Sequence, residues 1–254
     1  MRPVALVTGA RRGIGRATCA ALAAKGYDVL GCDVAADGAD ETAAAVAGVG
    51  ARFGFRLCDV ADLGQVAEMV AWAWGEWGGV EALVSNAGVG AMQRGDLLDV
   101  TPDSWDRCMD INARGAFFVA QGLARRMVAE GAPQRGPRAI AFVSSANAFI
   151  ASPDRSEYAA SKTAVSMLAR CFALRLADDG IPVHDIRPGV IRTDMTAPVA
   201  ARYAQRIAEG LSPIRRWGEA EDVGNAIAAL VSGALPFSTG DAFHIDGGLH
   251  IQRL

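Results

Sequence analysis

Cysteine and histidine are scarce in this sequence, and the few that occur are far apart. Five cysteines and three histidines are spread over 254 residues, and no CxxC pair is present. A disulfide framework or a metal site is therefore not expected, and His184 and His244, which lie within apolar runs, are interpreted as strand residues. Unpaired cysteines suit a reducing compartment, which predicts a cytoplasmic location.

Long apolar runs and one-sided charge are also missing. No run of about 18 apolar residues is available to span a bilayer. The N-terminus begins with a short apolar run instead of a charged region and a long apolar stretch, so no signal peptide is expected. The net charge is −3 and the two signs are interspersed. Neither nucleic acid nor a membrane surface is therefore an expected partner.

Hydrophobic residues, in contrast, make up 51% of the chain, which is enough for the core of one large domain. Short apolar runs alternate with alanine-rich stretches of helical period, and several runs are apolar on both faces. This alternation predicts an α/β fold: one domain over residues 1–254, with a Rossmann-type doubly wound sheet of about seven parallel strands and helices on both faces. The predicted strands are 4–8, 28–32, 52–58, 80–85, 139–144, 183–186 and 242–245, and the predicted helices are 13–25, 39–47, 62–77, 103–130, 156–179 and 219–233.

The stretch 192–218 breaks the alternation. It contains a helical segment, 199–209, with no strand before the next helix. Insertions at the carboxyl ends of the strands are where such folds place the segments that cover a substrate. We therefore predict that 192–218 is a substrate lid.

The segment TGARRGIG, residues 8–15, joins the first predicted strand to the first helix. Glycine allows a tight turn and lets the backbone approach a pyrophosphate, while the helix N-terminus offers free N–H groups and partial positive charge. Asp33 follows Gly15 by 18 residues and ends the next strand, which suits a carboxylate that binds a ribose. The segment predicts a dinucleotide site.

The spacing TGxxxGxG resembles that of the short-chain dehydrogenase/reductase family, and further motifs occur in the family's order over nearly the whole chain. Within the family, the sequence is most similar to the branch of 3-oxoacyl-[acyl-carrier-protein] reductases and related sugar dehydrogenases. The matching motifs are Asp59-Val60, Ser85-Asn86-Ala87-Gly88 (with Ser where the family has Asn), Asn112, Ser145, Tyr158-x-x-x-Lys162, Arg187-Pro188-Gly189, Thr193 and Ile245-Asp246-Gly247-Gly248.

The resemblance implies an oxidoreductase that moves a hydride between a nicotinamide and a secondary alcohol or ketone, in a homotetramer. It implies a catalytic set of Asn112, Ser145, Tyr158 and Lys162, in which Asn112 holds a water of a proton relay. The cofactor contacts are expected at Gly9, Arg12, Gly13, Ile14, Gly15, Asp33, Asp59, Val60, Asn86, Ala87, Gly88, Tyr158, Lys162, Pro188, Gly189, Ile191 and Thr193.

The chemistry of the Tyr-x-x-x-Lys pattern supports this. A spacing of four residues puts Tyr158 and Lys162 on one face of a helix. A free tyrosine has a pKa of about 10, and a neighbouring ammonium lowers it by favouring the phenolate. Tyr158 is therefore expected to act as the acid or base. Ser145, which precedes Tyr158 by 13 residues, is preferred over Ser144 as the group that binds the reacting oxygen.

The identity of the nicotinamide cofactor depends on two opposed signals. The Asp33 carboxylate would repel a 2′-phosphate by roughly 4 kcal/mol at about 4 Å and an effective dielectric near 20. Arg12, a basic residue just before the second glycine, is found in relatives that use NADP. Because Asp33 occupies the place of that phosphate, NAD is the predicted cofactor.

The substrate is less constrained, and three functions stay open. Residues after the fifth strand and in the lid are expected to line the pocket, and Arg155 can bind a carboxylate through two hydrogen bonds. A dehydrogenase of a sugar or sugar acid is favoured over a 3-oxoacyl thioester reductase, and a non-catalytic nucleotide-binding regulator is the third possibility. The expected substrate contacts are Ser145, Asn147, Arg155 and Tyr158, and further pocket residues are Arg192, Phe149, Ile150 and Met195.

Overall fold

A computed structural model describes residues 1–133 and 135–252 of the chain. It contains one seven-stranded parallel sheet of order β3-β2-β1-β4-β5-β6-β7, which confirms the predicted fold class. The sequence also suggests that the tail 251–254 pairs across a subunit axis, and two residues of that tail, Arg253 and Leu254, lie outside the described residues. The strands are β1 (Val4–Thr8), β2 (Asp28–Asp33), β3 (Phe53–Leu57), β4 (Ala82–Ser85), β5 (Ala139–Val143), β6 (Val183–Pro188) and β7 (Ala242–Ile245).

Helices cover both faces of the sheet, because alternate strand residues are apolar on each side. In β1, Val4 and Leu6 face one core while Ala5 and Val7 face the other, and all four are fully buried. The first core includes α3, α5 and α6, and the second includes α1, α2 and α8. No helix in the described part of the chain is long and apolar enough to cross a membrane. The helices are α1 (Gly13–Ala24), α2 (Ala39–Ala47), α3 (Leu63–Glu76), α4 (Pro102–Cys108), α5 (Ala116–Glu130), α6 (Ser156–Leu176), α7 (Ala200–Ala208) and α8 (Ala220–Val231).

The strand order reverses beside β1, which pairs with β2 on one side and with β4 on the other. Connections leave the sheet in opposite directions at this point, and a crevice opens at the carboxyl ends of the strands. The loops that carry the sequence motifs all begin at this edge.

The predicted helix 103–130 is interrupted. It begins at Pro102 after the N-cap Thr101, whose hydroxyl accepts a hydrogen bond from the Ser104 N–H. A π-helical turn, Met109–Gly115, then separates α4 from α5. Such turns add one residue to a helix and redirect its side chains, often at functional sites. Hydrophobic periodicity could not locate this π-helical turn because the helical pattern of apolar residues continues across it.

The insertion 192–218 is closed at its base by a parallel bridge between Ile191 and Gly218. The Gly218 N–H donates to the Val190 carbonyl at 3.1 Å, and the Arg192 N–H donates to the Gly218 carbonyl at 2.8 Å. A Cβ at position 218 would lie 2.4 Å from Ile191 Cδ1, so a larger residue there would have to displace the end of that side chain. The expected helical segment is present as α7.

Candidate active site

One cavity of about 740 Å³ follows the carboxyl edge of the sheet. It begins at the glycine-rich loop after β1 and ends at the N-terminal part of α6. Nearly all the residues singled out in the sequence line this single cavity. They are Gly9, Arg12, Gly13, Ile14, Gly15, Asp33, Asp59, Val60, Asn86, Ala87, Gly88, Ser145, Asn147, Ile150, Arg155, Tyr158, Lys162, Pro188, Gly189, Ile191, Thr193 and Met195.

The glycine-rich loop is built so that only glycine fits. Gly9 and Gly13 have φ values of 69° and 54°, in the left-handed region that side chains disfavour. A Cβ on Gly15 would lie 1.9 Å from the Gly9 carbonyl oxygen. No side chain caps the first turn of α1, whose N-cap is Arg12. This loop therefore presents backbone N–H groups and a helix N-terminus to the cavity, which fits a pyrophosphate.

The loops after β1 and β4 are held together by Thr8 and Asn86. The Thr8 hydroxyl accepts hydrogen bonds from the Asn86 and Ala87 N–H groups, at 3.0 and 2.9 Å. The Asn86 amide nitrogen donates to the carbonyls of Thr8 and Gly9, at 2.9 and 3.2 Å. The asparagine thus fixes the glycine-rich loop from behind the cavity wall.

Arg11, not Arg12, is the basic residue beside Asp33. The Arg11 N–H and Nε donate to the two carboxylate oxygens of Asp33 at 3.3 and 3.2 Å, and Arg11 also pairs with Asp37. The half-exposed Arg12 side chain instead pairs with Asp194, with 2.8 Å between Nη1 and Oδ2. Sequence reasoning missed Arg11 because two adjacent arginines follow Gly9 and only the loop geometry distinguishes them.

The two serines that follow β5 direct their hydroxyls to different places. Ser145 lines the cavity, and its Oγ accepts a hydrogen bond from the Asn147 N–H at 3.1 Å. The Ser144 hydroxyl donates to the buried carboxylate of Asp185 on β6, and its side chain is almost fully buried. The structure therefore places Ser145 beside Tyr158 and directs Ser144 into the protein interior.

Tyr158 and Lys162 lie one turn apart on α6 and are both buried. The Lys162 Nζ donates to the Val143 carbonyl at 2.9 Å and lies 6.0 Å from the centre of the Tyr158 ring. The Arg155 guanidinium lies 5.2 Å from the same ring centre. Two cations therefore flank the phenol at the inner end of the cavity.

Burial dominates the ionisation of this pair in the protein alone. It raises the pKa of Tyr158 above its ordinary value, although a hydrogen bond with Ser145 and the charge of Arg155 act in the opposite direction. Burial lowers the pKa of Lys162 to about 8, and the nearby Asp185 carboxylate opposes that shift. The expected lowering of the Tyr158 pKa is therefore not found in the protein alone, because loss of solvent is the dominant effect.

Asn112 is held by protein groups on both sides. Its amide nitrogen donates to the Val89 carbonyl and to the Ser161 hydroxyl, both at 2.9 Å, and its Oδ1 accepts the Val89 N–H at 2.8 Å. A Cβ at Gly88 would lie 3.1 Å from both Asn112 Oδ1 and Lys162 Nζ. The π-helical turn thus brings Asn112 close to Lys162, while its part in a proton relay stays a prediction.

Similar proteins identify the family. A family model described as "Enoyl-(Acyl carrier protein) reductase" matches residues 9–250. The chain belongs to the short-chain dehydrogenase/reductase family. Versicolorin reductase 1 from Dothistroma septosporum is 34% identical over 257 residues, which cover 96% of this chain and 95% of that protein. Cis-4-hydroxycyclohexanecarboxylate dehydrogenase from Sinomonas cyclohexanicum is 36% identical over 245 residues, covering 96% and 95%.

A solved structure is also very similar. The crystal structure of a 3-oxoacyl-[acyl-carrier protein] reductase from Brucella melitensis in complex with NAD has a TM-score of 0.96 and 44% identity, covering 100% of this chain and 99% of that one. The relatives named here are two reductases and a dehydrogenase of a hydroxy acid. This short-chain dehydrogenase/reductase is accordingly an oxidoreductase that acts on a CH–OH group or a ketone.

The substrate end of the cavity is rich in arginine, which the sequence indicated only through Arg155. Asp154 is the carboxylate among these arginines, 3.7 Å from Arg94 and 3.4 Å from Arg202, and their charges help to keep its pKa below the ordinary value although burial opposes this. Two expectations for the wall are wrong: Arg192 stacks on Trp217 in a separate outer crevice, and Phe149 is 58% exposed. The arginines of this end are Arg94, Arg107, Arg155, Arg202 and Arg206.

The ionisation of Lys162 predicts a pH-dependent stability. Its folded-state pKa of about 8 lies below the ordinary 10.5, so the unfolded chain binds more protons between these pH values. The free energy of unfolding of the wild type, relative to Lys162→Met, should therefore rise between pH 8 and 10.5, by up to about 3 kcal/mol. Urea unfolding of both proteins at several pH values measures the difference.

Lys25 provides the matched control, because the chain has only two lysines and Lys25 is exposed. The free energy of unfolding of the wild type relative to Lys25→Met should not rise between pH 8 and 10.5. A parallel pH dependence of wild type and Lys162→Met would contradict the assignment of a depressed lysine pKa.

Proposed function

We propose that the protein is an NAD(H)-dependent dehydrogenase that interconverts a secondary alcohol and a ketone on a small polar substrate, such as a sugar acid. The observation that carries this proposal is the convergence of Ser145, Tyr158 and Lys162 at one end of a cavity whose other end is the glycine-rich loop. The complete set argues against a regulator that only binds nucleotide.

The chain's own groups can handle the proton. When bound, NAD would accept the hydride or, as NADH, return it. Tyr158 takes the hydroxyl proton of an alcohol, or gives a proton to a ketone, and Ser145 binds the same oxygen from a second side. The ammonium of Lys162 stabilises the phenolate form of Tyr158 and is placed to bind the nicotinamide ribose. Asn112 is placed to hold a water that links Lys162 to solvent.

The preference for NAD is supported by Asp33, whose carboxylate ends β2 on the cavity wall. Arg11 neutralises part of its charge, but Asp37 pairs with the same guanidinium, so the group of three carries a net charge of about −1 at neutral pH. A 2′-phosphate would enter an already negative corner. The NAD complex of the similar Brucella melitensis structure supports the same choice.

A carboxylate on the substrate is supported by the arginine-rich mouth. Five arginines line this end, with Asp154 between two of them, and the Arg155 guanidinium lies 5.2 Å from the centre of the Tyr158 ring. The relative from Sinomonas cyclohexanicum is named for a hydroxy acid substrate. A 3-oxoacyl thioester is the second candidate, supported by the name of the similar Brucella melitensis protein. Residues 192–218, which contribute Thr193, Met195 and Tyr203 to the wall, are proposed as the substrate lid.

We further propose a homotetramer in the cytoplasm. The tetramer follows from family membership. The location is supported by the five free cysteines, of which four are buried.

Replacement of Tyr158 by phenylalanine tests the proposed chemistry. The Tyr158→Phe variant keeps the ring but loses the proton that must be transferred, so turnover should fall by about 100-fold or more. Absorbance at 340 nm follows NAD reduction with polyols, aldonates and hydroxyacyl thioesters. Cofactor affinity, measured by fluorescence titration, should remain nearly unchanged. Near-normal turnover would remove Tyr158 from the mechanism, and NAD binding without turnover of any substrate by the wild type would favour the regulator.

Replacement of Asp33 by alanine tests the choice of cofactor. Loss of the carboxylate removes the repulsion of a 2′-phosphate and frees Arg11 to pair with it, so the ratio of kcat/KM for NADP to that for NAD should rise at least about tenfold. Asp37→Asn is the control, since it removes the ion pair between Asp37 and Arg11 while keeping the Asp33 carboxylate. An unchanged ratio in Asp33→Ala would refute the role of this carboxylate.

Replacement of Arg155 by alanine tests whether this residue binds a carboxylate of the substrate. A hydrogen bond to a charged group contributes about 1.5–3 kcal/mol, so KM for an oxidised hydroxy acid should rise about 10- to 100-fold. KM for a neutral alcohol that the enzyme also oxidises should change little. Arg192→Ala, outside the cavity, should affect neither substrate. Equal losses for acid and neutral substrates would show that Arg155 does not bind the carboxylate.

A further inference from the structure

The end of the chain brings together three metal-ligating side chains that are not part of the cavity wall. His244 and Asp246 are two residues apart at the end of β7, so their side chains point to the same side. Gly247 and Gly248 follow with φ values of 64° and 84° and turn the chain back. The turn returns His250 to its two partners, which the spacing in sequence had concealed.

The donor atoms have the spacing of a coordination site. The Asp246 Oδ2 lies 2.8 Å from His250 Nδ1 and 3.7 Å from His244 Nδ1, and one donor atom from each residue lies within 4.8 Å of the others. Around a tetrahedral zinc ion, with bonds of about 2.0–2.1 Å, neighbouring ligand atoms lie about 3.4 Å apart. The 2.8 Å contact is a hydrogen bond when no ion is bound. Movements of about 1 Å or less would place all three donor atoms around one ion.

The two imidazole rings are stacked on each other. Their ring centres are 3.8 Å apart with an angle of 25° between the planes, a stack that two positive charges would oppose. The Nδ1 of His244 is buried and has no hydrogen-bond partner among the described residues.

The carboxylate is already oriented. The Gly248 N–H donates to Asp246 Oδ1 at 2.9 Å, and the His250 N–H donates to Oδ2 at 3.0 Å. Hydrogen bonds of this kind fix the direction of a ligating carboxylate. These two hydrogen bonds suffice to close the turn. They do not explain why the buried Nδ1 of His244, which has no hydrogen-bond partner among the described residues, lies near this carboxylate.

We propose that His244, Asp246 and His250 bind a divalent metal ion of the zinc class. Two imidazole nitrogens and one carboxylate oxygen suit Zn²⁺ better than Mg²⁺ or Ca²⁺, which prefer sets of oxygen atoms. Three protein ligands leave a fourth position for water. The three ligands are not among the residues that line the cavity containing Tyr158, so hydride transfer gives them no role.

The position of the site gives it a structural consequence. A Cβ at Gly189 would lie 2.6 Å from Asp246 Cα, so the turn packs directly behind the Pro188-Gly189 wall of the cavity. Leu249, inside the same turn, lines the cavity. An ion that joins β7 to His250 therefore fixes the turn against this wall and stabilises the folded chain by mass action.

Metal binding by the full-length protein tests the proposal without any nucleotide or substrate. Metal-stripped protein in a Cys171→Ser background, which removes the exposed thiol as a competing ligand, is titrated with Zn²⁺ alone by calorimetry. We expect saturation at one ion per chain and a rise in Tm. Co²⁺ in place of Zn²⁺ should give the strong visible absorption of a four-coordinate site. Absence of saturable binding would overturn the proposal.

Single-residue variants locate the ion. His250 is partly exposed, so His250→Ala should fold normally and bind Zn²⁺ at least about tenfold more weakly. His244→Ala should show the same loss. Asp241→Asn, which removes a carboxylate just before β7 without touching the three ligands, should bind like the wild type. Undiminished binding in His250→Ala would overturn the proposal. Because only metal is measured, the result is independent of the proposed dehydrogenase activity.

Discussion

The burial of one ammonium group is the constraint on which the candidate active site depends. Lys162 is one of two lysines in a chain that otherwise uses arginine for its basic residues, and only 5% of it is exposed. An arginine would keep its charge at any accessible pH and would present a wide planar group. A lysine presents a compact ammonium group, and burial can lower the pKa of that group towards neutral pH. The fold must therefore compensate this charge without surrounding it with water.

The compensation comes from the ends of β5 and β6. The Val143 carbonyl accepts a hydrogen bond from Lys162, and the Asp185 carboxylate acts on it through the low-dielectric interior. Asp185 is in turn held by the hydroxyls of Ser144 and Ser166 and by Arg187, whose Nε donates to it at 2.8 Å. A buried network with so many hydrogen bonds has few alternative arrangements. It therefore fixes the positions of β5 and β6 as well as the carboxylate that compensates the charge of Lys162.

The sequence was sufficient for those features that local patterning determines. Apolar runs on both faces gave the seven parallel strands, and the steric demands of Gly9 and Gly15 located the nucleotide loop. Features that depend on side-chain direction were not predictable. Adjacent Arg11 and Arg12 differ only in the direction in which the loop points their side chains. Arg192, next to the bridge between Ile191 and Gly218, lies in the outer crevice beside Trp217.

The same reasoning explains why the cofactor end was easier to predict than the substrate end. Backbone groups and glycines bind a pyrophosphate, and their positions follow from the strand ends. The substrate end instead uses long arginine side chains, two of which pair with Asp154 near the surface. Such partly exposed pairs contribute only about 0–1 kcal/mol. The substrate carboxylate proposed above would therefore replace Asp154 beside these arginines at little cost. The Asp185–Arg187 pair is buried and cannot be exchanged in this way. Substrate choice therefore rests on the ion pairs that are weakest in the folded protein, and those are the ones that sequence patterns constrain least.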